Sequence, residues 1–153
     1  MTFGESLFLA IVTAFVGVTA YVSQQALIRL VVEPILTLRG LVAEAVETIG
    51  YYSDYLHNPT VTSKEKGAEI TSALRRLAFR IEGTAATIPM YERLSRRRWV
   101  PPWGSLMAAK RALVGLSNST SLPLADHRVY DAIHVWFDEV HAAAESIGRR
   151  KTR

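Results

Sequence analysis

The hydrophobic pattern of this chain changes character once, at Arg29. Before it, Ser6 to Ile28 reads SLFLAIVTAFVGVTAYVSQQALI with no charged residue between Glu5 and Arg29. As a helix these 23 residues extend about 34 Å, against a bilayer hydrocarbon core of about 30 Å. Eleven of them are Leu, Ile, Val or Phe, together worth about −3 to −7 kcal/mol on an insertion scale. The stretch predicts a transmembrane helix over 6–28. Two alternatives compete. Val18-Thr19-Ala20 satisfies the small-residue cleavage rule of a signal peptide, yet the only charge ahead of the span is Glu5 where such peptides carry basic residues. A buried core helix is the other, although 23 uncharged residues is long for one.

After Arg29 apolar residues recur at heptad spacing and no strand-like alternation of useful length occurs. Pro34 should start or kink a helix. Its seam is Ile35, Leu38, Val42, Ala45, Ile49, Tyr52 and Leu56, ending at HNPT. Ser63 or Thr62 can cap the next, with Ile70, Leu74, Leu77, Ile81, Thr84 and Ile88 on one side before Pro89. Following Pro101-Pro102, Ser105 can cap a helix bearing Leu106, Ala109, Leu113 and Leu116 that ends in the polar run SNSTS. Asp126 can cap the last, which carries Val129, Ile133, Trp136, Val140, Ala143 and Ile147 up to Gly148. Four such seams on short connections must bury against one another. The expected fold is all-α: an N-terminal transmembrane helix followed by an antiparallel four-helix bundle, divided as a tail 1–5, a span 6–28, a bundle 29–148 and a basic tail 149–153.

Composition fits this division. Hydrophobic residues make up 49% of the 153 and charged residues 21%, and the mean hydropathy of +0.12 is high for that charge, so the apolar excess is local. None of the 18 Lys and Arg precedes position 29, which by the positive-inside bias puts residues 1–5 outside and the bundle in the cytoplasm. The absence of cysteine agrees with a reducing compartment.

No phosphate loop, His-Glu-x-x-His pair or nucleophile elbow is present, so no catalytic or cofactor-binding residue is assigned and no cofactor is expected. Three patterns remain. In the last helix His127, Asp131, His134, Asp138, His141 and Glu145 step by 4, 3, 4, 3 and 4. Asp-x-x-His spacing resembles that of di-metal bundles, but the stripe is offset about 200° from the apolar seam and points away from the core, where a second helix would have to complete a ligand set. It reads as a solvated or partner-binding face. Within the span, Ala10, Thr13, Ala14, Gly17 and Ala20 form a small-residue stripe suited to close packing with a second copy.

The third pattern is SRRRWVPPW, residues 95–103. Between Arg75 and Arg98 seven arginines (75, 76, 80, 93, 96, 97 and 98) face only Glu82 and Glu92. Arg96, Arg97, Arg98, Trp99 and Trp103 suit membrane lipid, since arginines near anionic headgroups are each worth about 1 kcal/mol and tryptophans favour the interface. The alternative is a charged turn whose tryptophans pack over the bundle's end. A pI near 9.6 supplies by itself no groove or recognition element, so nucleic acid is not an expected partner.

The order of these features, with LVVEPI at 30–35 and LVGLSNS at 113–119, resembles small uncharacterised bacterial inner-membrane proteins with one N-terminal transmembrane helix and a cytoplasmic helical domain. That resemblance implies a place in the bacterial inner membrane and carries no activity. The expected function is a non-enzymatic membrane-anchored interaction or assembly protein, with an unidentified protein partner or a homo-oligomer. One alternative is a membrane-active effector or small toxin oligomerising through its span. Another is a metal-dependent enzyme using the His/Asp stripe.

Overall fold

A computed structural model describes residues 3–57, 63–119 and 127–147, without the side chains of residues 5 and 127–130. Among the described residues every element is helical: α1 (Phe3–Leu27), a π-turn (Ile28–Val32), α2 (Glu33–Tyr51), α3 (Ser53–His57), α4 (Lys64–Thr87), α5 (Tyr91–Arg96), α6 (Trp103–Ser119) and α7 (His127–Glu145).

Pro34 does not start a separate helix; the distortion expected there is a π-turn just ahead of it. Helix α1 continues through the π-turn into α2, and the backbone N–H of Glu33 reaches back to the carbonyl of Ile28, one residue further than an α-helical bond. Pro34 cannot donate and its ring crowds the carbonyl four residues back, so a wider turn just ahead of it lets the helix pass. Ser6–Tyr51 forms one 46-residue rod near the N-terminus, long and apolar enough by length and composition to cross a membrane. Its most apolar window has mean hydropathy 2.0 and is 0% buried, which removes the core-helix alternative.

The second part of the rod follows its heptad seam. Ile35, Leu38, Val42, Ala45, Ile49, Tyr52 and Leu56 are all buried, and Leu41 joins them. The helix itself ends earlier than expected. Tyr52 turns out of α-geometry (φ −93°, ψ 7°) and α3 begins afresh, yet the seam continues across the turn into Leu56. Helix α4 starts where Ser63 accepts a hydrogen bond from the Lys66 N–H at 3.2 Å, and stops at Ile88. Ile70, Leu74, Leu77, Ala78, Ile81 and Ala85 are buried; Thr84 is half-buried, its place taken by Ala85 one position on. Helix α6 begins at Trp103, two residues before the expected cap, so Ser105 lies inside its first turn. The Thr62 cap, the HNPT end, Asp126 and the basic tail 149–153 lie outside the described residues, as does the side chain of Val129.

Helix α2 packs on α4 and α7, and α6 packs on α4 and α7. Their buried faces form one apolar core in which Leu38, Ile49, Leu74, Ile81, Leu113 and Ile133 are shut off from solvent; each contributes about 1.5–3 kcal/mol by burial. Polar links fix the directions. The Glu44 carboxylate meets Arg80 at 3.3 Å, while the Tyr52 hydroxyl donates to Glu69 at 2.9 Å, so α2 and α4 run oppositely. Glu82 pairs with Lys110 at 2.6 Å, and the Thr71 hydroxyl donates to the Ser117 carbonyl at 3.0 Å, so α4 and α6 do too. At Gly115 an added Cβ would sit 2.6 Å from the Trp136 ring, so glycine is what lets α6 and α7 approach this closely. These directions gather the start of α2, the end of α4, α5 and the start of α6 at the end where α1 joins. The other end carries Tyr52, α3 and the start of α7.

Candidate functional site

The residues gathered at the α1 end include the basic Trp segment, and its local structure is tighter than a loop. The prolines keep residues 97–102 out of a helix, while the short helix α5 ahead of them takes in Ser95 and Arg96. Helix α4 closes at Ile88, Pro89 follows, and Met90 takes a left-handed conformation (φ 52°) to aim the chain into α5. Arg98 is left-handed as well (φ 61°). Its N–H bonds to the Ser95 carbonyl at 2.8 Å and the Trp99 N–H bonds to the Leu94 carbonyl at 3.0 Å. This pair of bonds is a Schellman cap, a position that glycine usually fills because a Cβ costs about 1 kcal/mol there. Here the tertiary structure holds it. Val100 is fully buried directly after it, and the Tyr91 hydroxyl donates to the Pro101 carbonyl at 2.9 Å.

Trp99 lies half exposed across a shallow hollow of about 210 Å³ lined by Val32, Ile35, Leu36 and Arg39, the residues with which α2 leaves α1. Trp103 stands differently. Its ring meets the Tyr91 ring edge-on at 5.3 Å, as the structural alternative expected, although 39% of it stays exposed. Burial pushes the Tyr91 hydroxyl above its usual range, as does the Glu92 charge to a lesser degree.

The seven arginines do not form one patch. Arg75 bridges helices by donating to Ser117 at 3.2 Å and Asn118 at 2.8 Å, and Arg80 pairs with Glu44. Arg76 is exposed on α4. The compact cluster is Arg93, Arg96, Arg97 and Arg98, and three of these line an open cavity of about 390 Å³ with Met90 and Leu94. Sequence reasoning assigned no role to Met90, Leu94, Val32, Leu36 or Arg39. The Ile88-Pro89 stop marks a turn near Met90, but nothing local brings Val32 to Trp99.

The other two patterns lie elsewhere. Ala10, Thr13, Ala14, Gly17 and Ala20 are all exposed on α1, with the Thr13 hydroxyl bonded to the Leu9 carbonyl at 2.8 Å and open space around Gly17. On α7, Asp131, His134, Asp138, His141 and Glu145 are exposed, opposite the buried Ile133, Val140 and Ala143; the His127 side chain lies outside the described residues. His134 is the exception to a plain polar face, since its ring stands 5.3 Å from that of His57, which also meets Phe137 at 5.3 Å. Among the described residues no group of three or more His, Cys, Asp or Glu is placed to hold a metal ion. At the same far end, hydrogen bonds from Lys66 and Tyr52 hold the Glu69 carboxyl below its usual range.

Searches against protein-family models, curated proteins and solved structures find no match to this chain, so its geometry and chemistry carry the functional reading.

Proposed function

We propose that this protein is a non-enzymatic, single-pass membrane protein: α1 is the anchor, α2, α4, α6 and α7 form an antiparallel four-helix bundle in the cytoplasm, and the Arg/Trp turn is a collar on the bilayer surface. The observation that carries this is the rod. Its first part is apolar and covered by nothing among the described residues, while its second part is built into the core. Ile35 stands about 10 Å along the axis from Ile28, roughly where the headgroup layer ends on the usual dimensions of a bilayer. Trp99 lies against that level, with exposed Leu36 beside it and the arginine cluster next to it. Tryptophan at the interface and arginine facing anionic headgroups suit that depth. All 18 Lys and Arg lie beyond residue 28, which favours the bundle on the inner side, in keeping with the bacterial inner membrane that the resemblance implies. The ionisable face of α7, with Asp131, His134, Asp138 and His141 outward, is the surface offered to a protein partner.

Alkaline carbonate washing of vesicles tests the anchor: the full chain should stay in the pellet with its N-terminal residues intact. Release of the chain, or mature protein starting at Tyr21, overturns it. The open face around Gly17 favours a second reading, in which anchors pair and the protein acts on the bilayer as an effector. There, crosslinked oligomers in membranes should be lost on Gly17→Leu; crosslinking that finds monomers alone sinks it.

A further inference from the structure

We infer that the cavity under α5 binds the phosphate of an anionic phospholipid headgroup, held by Arg93, Arg96 and Arg97. This names the ligand of the collar and rests on the anchored reading above. The three arginines stand at i, i+3 and i+4, which puts their guanidinium groups on one side of a single turn. Around the cavity of about 390 Å³ they are joined by Met90 and Leu94. No ion pair among the described residues engages them, whereas Arg80 on α4 is held by Glu44. Arg93 reaches the Met90 sulfur at 3.8 Å, a weak contact that leaves its charge unneutralised.

Guanidinium forks match phosphate oxygens in geometry as well as charge. The turn that presents them is fixed at both ends by side-chain-bearing residues in left-handed backbone, Met90 and Arg98. Such conformations persist only where the surroundings over-determine them, and they gather at ligand-binding sites. Lipid is favoured over free phosphate by the other wall. Met90 is 63% exposed and Leu94 lines the same hollow, an apolar surface that suits the glycerol and upper acyl carbons of a lipid and gives inorganic phosphate nothing. Beside it, Trp99 lies against the first turns of α2, so the cavity opens at the depth where headgroups would lie.

The test uses the full chain in mild uncharged detergent, titrated with short-chain phosphatidylglycerol, short-chain phosphatidylcholine or inorganic phosphate and followed by tryptophan emission. Phosphatidylglycerol should bind saturably and more tightly than the other two. Replacing Arg93, Arg96 and Arg97 together by Gln should weaken it about fivefold per arginine, on the order of 100-fold in all. A charge-matched control, Lys64→Gln with Arg76→Gln and Arg111→Gln, should leave it nearly unchanged. Equal losses in both triple variants would reduce the site to diffuse charge and overturn the proposal, and so would inorganic phosphate binding as well as the lipid. Should the Gln triple variant lose its helical circular dichroism, the Arg→Lys triple decides: it keeps the charge but loses the fork, and undiminished binding refutes the site. Carbonate retention is scored separately, so a chain that stays in the membrane without lipid preference fails this inference alone.

Discussion

The two parts of the long N-terminal rod are the same secondary structure with two different distributions of apolar surface. Helix α1 presents Leu7, Phe8, Ile11, Phe15, Val16 and Val22 outward on every side, and none of its described side chains is buried. Helix α2 carries Glu33, Arg39, Glu44 and Glu47 on one side and buries Ile35, Leu38, Leu41, Val42, Ala45 and Ile49 on the other. Backbone hydrogen bonding is satisfied alike in both. What differs is where the apolar surface goes: the stripe of α2 is covered by α4 and α7, whereas the apolar cylinder of α1 is covered by none of the described residues. The π-turn between them lies where the chain passes from one to the other.

The comparison breaks most visibly in the core. Leu38→Ala should cost about 2–5 kcal/mol of bundle stability, while Val12→Ala in α1 should leave the unfolding midpoint in detergent unchanged; similar losses would mean that α1 packs on the bundle. Placing a charge in the middle of α1 reverses the contrast. Val16→Arg should oppose insertion by about 2.5–3.5 kcal/mol and move protein out of the carbonate-resistant fraction, with the bundle's melting in detergent unaltered. Within the bundle, Gly115→Ala drives a methyl group into the Trp136 ring and should destabilise by about 1–3 kcal/mol; a neutral result would show that α6 and α7 can separate freely. Arg98→Gly should act in the other direction. Relieving the left-handed strain ought to raise the midpoint by the equivalent of up to about 1 kcal/mol, and a fall would show that the arginine side chain itself holds the turn.

The smallest effect is alkaline. Tyr91 ionises less readily folded than unfolded, because burial raises its pKa. Its contribution is therefore fully present below the ordinary tyrosine value of about 10 and fades as pH climbs above it. Unfolding midpoints should drop at alkaline pH in the parent and drop less in Tyr91→Phe. Equal slopes would place the alkaline sensitivity elsewhere.

Local chemistry made much of this readable in advance. Ser63 capped where a serine three residues ahead of a backbone N–H can, and the seven-residue seam from Ile35 to Leu56 is buried throughout. The misses share a cause. Ser105 resembles a cap, yet the first turn of α6 closes two residues earlier, the Leu106 N–H bonding to the Pro102 carbonyl at 3.0 Å while the Trp103 ring packs on Tyr91. Thr84 fits a strict heptad, yet a true helix drifts relative to that repeat, and Ala85 comes round to the core instead. His134 belongs to a polar stripe by spacing, yet the packing of α3 on α7 brings His57 to it.

By itself the sequence determined which long segments are helical, which side of each is apolar, and that the first segment has no charged side at all. These follow from periodicity, which acts over a turn or two. Only the tertiary structure decided that Arg75 and Arg80 are spent on neighbouring helices, that Arg98 bends left-handed, and that Trp99 comes to rest beside Val32 and Leu36. Residues more than sixty positions apart meet only through the register in which packed helices settle, and that register is set by the whole core at once.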